Sequence, residues 1–127
     1  DYLARPGTPR RPPDLQRHCC LHYRYPSTGK LEQWPLKTAA GAPAPELPLT
    51  LVCNSVETRI FLALGDLGIV CLPDFTIRQE LASGRLVTVM DERTRGNATM
   101  WALWPASRHP SPKLRVFVDH LARHLFD

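Results

Sequence analysis

The spacing of apolar residues changes period twice between positions 49 and 86. Leu49 to Cys53 is a short apolar run of the kind that a buried parallel strand shows. The pattern then turns helical, because Val56, Ile60, Ala63, Leu64 and Leu67 fall on one face of a 3.6-residue repeat. Asn54 has Glu57 three residues later, the spacing of a capping box, so the helix is predicted to begin at Asn54. Gly65 to Gly68 ends it, Ile69 to Leu72 reads as a second buried strand, and Pro73 stops that strand. Asp74 or Thr76 can cap a short helix holding Ile77 and Leu81, and Gly84 stands where a left-handed residue closes a helix.

The same reading extends to both sides. Cys19 to Tyr25 is rich in apolar and aromatic residues and is predicted as a strand, and Pro26, Ser27, Thr28 and Gly29 supply turn chemistry after it. Positions 38–48 are mainly Ala, Gly and Pro, a loop. Leu86 to Met90 and Met100 to Trp104 read as strands around a polar loop at 91–99. Ser111 followed by Pro112 is a helix cap with proline at the first helical position, and Leu114, Phe117, Val118, Leu121 and Leu125 make one apolar stripe of the helix that follows. Strands alternating with helices predict an α/β sandwich with a largely parallel sheet flanked by helices.

A chain of 127 residues with 43% hydrophobic and 22% charged side chains is one globular domain or less, and 13 prolines imply many loops. No apolar stretch approaches the roughly 18 residues of a membrane span, and no signal-peptide pattern opens the chain, so a cytoplasmic protein with no membrane partner is expected. The net charge is +4, with Arg5, Arg10, Arg11, Arg17 and Arg24 crowded into the first quarter. They lie among Pro6, Pro9, Pro12 and Pro13, which forbid a recognition helix, so they read as a solvated basic loop rather than a DNA contact surface.

Catalytic signatures are absent: there is no Gly-x-Ser-x-Gly elbow, no phosphate-cradling glycine loop and no usefully spaced carboxylate pair. A metal deserves a closer look at His18-Cys19-Cys20-x-His22. Adjacent cysteines cannot easily reach one ion, and on a strand His18, Cys20 and His22 point one way and Cys19 the other. Core packing is therefore preferred there, and Cys53 and Cys71 likewise read as inert packing in strands.

Several motifs stand in a fixed order. Tyr2-Leu3-Ala4, Gly7-x-Pro9 and Pro13-Asp14-Leu15 precede His18-x-Cys20-Leu21; a strand ends in Asn54-Ser55, a helix leads through Gly65 to Gly68-Ile69, and the next strand ends in Leu72-Pro73. Leu103-Trp104-Pro105 then precedes Ser111-Pro112-Lys113-Leu114-Arg115 and Phe117-Val118-Asp119. Together they resemble the effector-binding domain of LysR-type transcriptional regulators over nearly the whole chain. Asp66 departs from the family pattern, which has glycine there; Asp tolerates left-handed geometry, so the turn is expected to survive with the carboxylate exposed.

The resemblance implies a lobe like that of type II periplasmic binding proteins. Residues 1–104 would be lobe two with hinge strands, and 105–127 the C-terminal helix returning to lobe one. The family's helix-turn-helix, linker helix and first half of lobe one have no counterpart, so the chain is expected to be a fragment. By the same resemblance it is a non-enzymatic regulatory module that senses a small, anionic effector. It would need no cofactor or metal, would meet DNA only through the helix-turn-helix of a full-length protein, and would form a homo-oligomer.

In an open α/β sheet, ligands sit beyond the carboxyl ends of the strands, and unpaired N–H groups at a helix start favour an anion. Positions 23–29 and Asn54-Ser55 are the loops in question. Carried over from the family, Thr28 and Ser55 become hydrogen-bond donors to the effector, with Asn54 and Arg24 as neighbours; Asn54 serves first as the helix cap. The alternatives are a solute-binding lobe unrelated to transcription and a thiol or metal sensor.

Overall fold

Three short strands meet side by side in the computed structural model, which describes residues 2–38, 43, 45–94, 103–105 and 111–124. Strand β1 (Cys20–Tyr23) lies between β2 (Leu51–Cys53) and β3 (Ile69–Val70), and both pairings are parallel. Leu21 sits opposite Leu51, and Cys20 opposite Ile69. As the central strand, β1 is buried on both faces: Cys20 is 0% and Leu21 1% exposed, which is why its apolar residues run without strict alternation. Among the described residues the flanking strands pair on one side only, and they are shorter than their apolar runs, so Leu49, Cys71 and Leu72 fall outside them.

Helix α1 (Val56–Leu64) carries the chain from β2 to β3, as a parallel sheet requires. The side chain of Ser55 caps it, accepting the Thr58 N–H at 3.1 Å. The cap expected at Asn54 thus falls one residue later; Thr58 rather than Glu57 stands three residues after it, so no capping box forms, and Asn54 is exposed. At the far end Asp66 is left-handed, φ 58°, as its short polar side chain allows. The residue is half-buried, and its carboxylate accepts the Tyr2 N–H at 2.9 Å. A Cβ at Gly68 would collide with the Cys19 carbonyl, so glycine lets β3 approach β1 closely enough for the Ile69 N–H to reach that oxygen at 2.8 Å.

The core gathers Leu15, Cys20, Leu36 and Ile69, with Trp34, Leu47, Val89 and Met90 among the residues packed against it. Leu15 arrives on a 3-10 turn, Pro12–Arg17, that the prolines admit because they stand at its start. Beyond β3 come a 3-10 turn, Asp74–Thr76, and helix α2 (Arg78–Ala82). Neither Asp74 nor Thr76 caps α2, whose first flanking residue is Ile77, while Gly84 closes the segment at φ 70° as expected.

Leu86 to Met90 is not a strand. Met90 is left-handed, φ 60°, a conformation that ends extended structure, and Val89 and Met90 pack on the core instead. The expected strand at 100–104 falls partly outside the described residues, and 103–105 have no regular structure.

The chain divides into two compact units, Asp1–Gly96 and Asn97–Asp127. The second contains α3 (Pro112–His124), where Ser111 caps the first turn by accepting the Leu114 N–H at 3.3 Å. Of its predicted stripe, Leu114, Val118 and Leu121 are half-buried and Phe117 is 57% exposed; Leu125 lies outside the described residues.

Candidate functional site

All three strands point their carboxyl ends to one edge of the sheet, and the expected site residues leave from it. After β1 the backbone folds back on itself. Glu32 donates its N–H to the Tyr23 carbonyl at 2.8 Å, Tyr25 donates to Lys30 at 2.9 Å, and Arg24 bridges Leu31 in antiparallel fashion. Gly29 makes the reversal with φ 67°. Thr28 is exposed at the tip, where its Oγ1 accepts the Lys30 N–H at 3.3 Å. Arg24 is exposed too and donates from Nη1 to the Gly29 carbonyl at 2.9 Å. Its backbone N–H donates to the Cys53 carbonyl at 2.8 Å, which ties the start of this hairpin to the end of β2.

One residue beyond β2, Asn54 and then Ser55 lead into α1. The Ser55 hydroxyl, besides capping the helix, donates to Glu57 Oε2 at 2.9 Å. Glu57 stands in the first turn, and its own backbone N–H, then the Ser55 hydroxyl, hold its carboxyl below the usual carboxylate range. The positive end of α1 therefore already faces one carboxylate of its own chain. Arg24, Thr28, Asn54 and Ser55 thus stand on neighbouring loops of one sheet edge, and both hydroxyls already serve local backbone geometry.

The sequence reading missed the most deeply buried charge of this edge. Arg59, in the second turn of α1, is only 2% exposed. Its Nη1 donates to Glu32 Oε2 at 2.7 Å and to the Cys71 carbonyl at 3.1 Å, and the guanidinium lies 4.8 Å from the Tyr23 ring centroid. The signal was present: Arg59 lies three residues after Val56 and four before Ala63, inside the apolar stripe, where an arginine needs a buried partner. That Glu32, 27 residues away, is the partner could not be read.

The histidine and cysteine cluster sits below this edge. His18, Cys20 and His22 are buried, and so is Leu21 on the opposite face of the central strand, while Cys19 is half-buried. His22 Nε2 lies 3.0 Å from the Pro48 carbonyl. Burial pushes the thiols of Cys20 and Cys71 up to about 11, which makes both poor nucleophiles. All four cysteines are free thiols, and among the described residues no three His, Cys, Asp or Glu side chains gather as a metal site needs.

Comparison with known proteins agrees with this architecture. The family profile "LysR substrate binding domain" matches residues 1–126. The chain is 33% identical over 126 residues to the HTH-type transcriptional regulator CrgA of Neisseria meningitidis serogroup B, covering 98% of this chain and 41% of the relative. It is 28% identical over 124 residues to the probable HTH-type transcriptional regulator LtrA of Klebsiella pneumoniae, covering 95% and 40%. The solved regulatory domain of the Neisseria meningitidis CrgA, a LysR-type transcriptional regulator, superposes with a TM-score of 0.69 at 30% identity, over 98% of this chain and 60% of that one. The chain thus spans about two fifths of the length of these regulators. Its parallel sheet flanked by helices is a lobe of the type II periplasmic-binding-protein kind, and the chain belongs to the LysR substrate-binding-domain family.

Proposed function

We propose that this chain is the effector-sensing part of a LysR-type transcriptional regulator and catalyses no reaction. A small anionic molecule sits at the carboxyl edge of the sheet, with the Thr28 hydroxyl donating to it, the Ser55 hydroxyl turning its proton from Glu57 to do the same, and Arg24 and Asn54 beside it. The observation that carries this reading is the meeting of two loops from adjacent strands at the edge where α/β sheets bind ligands, one of them a helix start. The ligand biases the longer protein between conformations, and DNA is met through its helix-turn-helix. The regulator works in the cytoplasm as a homo-oligomer, to which α3 contributes an apolar face. Among the described residues no helix is long and apolar enough to cross a membrane.

An NMR titration of the chain with sodium acetate and sodium benzoate tests the site. Saturable shifts are expected at the amides of Thr28, Gly29, Ser55 and Val56. Shifts confined to α2, or none at all, would remove the site from this edge.

A further inference from the structure

We propose that Arg59 is a positioning residue of the effector site: it fixes the hairpin bearing Thr28 against the helix that begins at Ser55. This inference rests on the reading that these two loops meet the effector. Tyr23 and Glu32 are the two arms of the hairpin, joined by the Glu32 N–H to the Tyr23 carbonyl at 2.8 Å. Arg59 holds both, one arm by the face of its ring and the other by an ion pair of 2.7 Å. The same Nη1 also donates to the Cys71 carbonyl, just past β3. One side chain of α1 therefore clamps the segments leaving β1 and β3, four residues after the helix cap that leaves β2.

Stability alone does not account for such a group. A buried ion pair commonly contributes no more than apolar residues of the same volume, because desolvating the charges offsets their attraction. Here the Arg59 side chain is 2% exposed and Glu32 22%, so the arginine carries most of that desolvation. What the pair adds over apolar packing is direction: a planar guanidinium holds its acceptors at fixed angles and stacks on an aromatic face. Without it the inner arm keeps the β1–β2 pairing and the bond from the Arg24 N–H to the Cys53 carbonyl, whereas the outer arm keeps its backbone bonds to the inner arm but loses the ion pair that ties Glu32 to α1.

Residue-resolved amide exchange on the chain carrying Arg59→Lys or Glu32→Gln tests the clamp. A lysine keeps the charge but offers one point donor in place of a planar fork, and the glutamine keeps the shape but not the charge. In both variants the Tyr25 and Glu32 amides, which close the hairpin, are expected to exchange about tenfold faster through local opening. The Ile69 amide, bonded across the sheet to Cys19, should keep its wild-type rate. Unchanged hairpin amides, or hairpin and Ile69 amides accelerated together, would overturn the proposal.

A benzoate titration of the same variants adds the functional readout. The proposal expects the apparent Kd at the Thr28 and Ser55 amides to weaken about tenfold; equal affinity in wild type and variants would show that the clamp does not serve the site. Loss of any response in the wild type would instead sink the reading of the site while leaving the exchange result to decide on the clamp. Arg59→Met removes every polar contact and should accelerate the hairpin amides most; if it fails to fold, the Lys and Gln variants carry the decision.

Discussion

Helices α1 and α3 carry the same kind of apolar stripe in sequence and reach different ends in structure. Helix α1 connects β2 to β3, packs against β1 and β3, and buries Ala63 and, more deeply, Arg59. Helix α3 buries none of its residues, and Val116 and Phe117 are 67% and 57% exposed. A stripe reports that a face needs cover; it does not say where the cover lies. It also hides the exception, because in α1 the residue with least exposure is a charged one whose partners come from distant segments.

The sharpest way to break this contrast is to charge the face of α3. Burying Leu114, Phe117, Val118 and Leu121 is worth roughly 1.5–3 kcal/mol each, enough for a second copy to be drawn onto the face. Light scattering should find the chain dimeric or larger, and Phe117→Asp with Leu121→Glu should reduce it to a monomer. An unchanged mass in the double variant would mean that another surface joins the copies.

Next comes the support of α1. Gly68→Val places a side chain against the Cys19 carbonyl, so β3 must leave β1 or the backbone must shift, at a cost of about 3 kcal/mol or more. Urea unfolding should show the loss; a midpoint like wild type would mean that the strands separate cheaply. Arg59→Met is expected to cost about 3 kcal/mol, at the low end for breaking a buried pair, because Glu32 keeps partial contact with water. Combining it with Glu32→Gln should add little to that loss, and full additivity of the two changes would argue against their coupling.

How legible these features were depended on how local their causes are. Strands β1 and β2, α1, Gly84 and the Ser111 cap follow from patterns within a few residues, and the sequence shows them. The choice between Asn54 and Ser55 as cap was finer. Both are good capping residues, Asn54 has the right spacing to Glu57, and Ser55 wins because its hydroxyl reaches the Thr58 N–H. Leu86 to Met90 misled because an apolar run encodes burial, which Val89 and Met90 do find, without encoding the left-handed backbone at Met90. The Arg59 clamp was least legible, since its acceptors lie at Glu32 and Cys71.

A smaller effect follows from the cap. Ser55→Ala should lower stability by about 1 kcal/mol, whereas Asn54→Ala should change it by only a few tenths. Thermal unfolding of both variants decides, and the reverse order would return the cap to Asn54.

The central claim is that the edge formed by the Thr28 hairpin and the Ser55 helix start receives the effector. Its most direct measurement is reporter induction by an intact regulator carrying Thr28→Val or Ser55→Ala, beside promoter binding by the same proteins. Each change removes a hydroxyl whose hydrogen bond to a charged group is worth about 1.5–3 kcal/mol, so the account predicts a response shifted to at least tenfold higher effector with promoter binding retained. Induction at the wild-type effector concentration in both variants would contradict it.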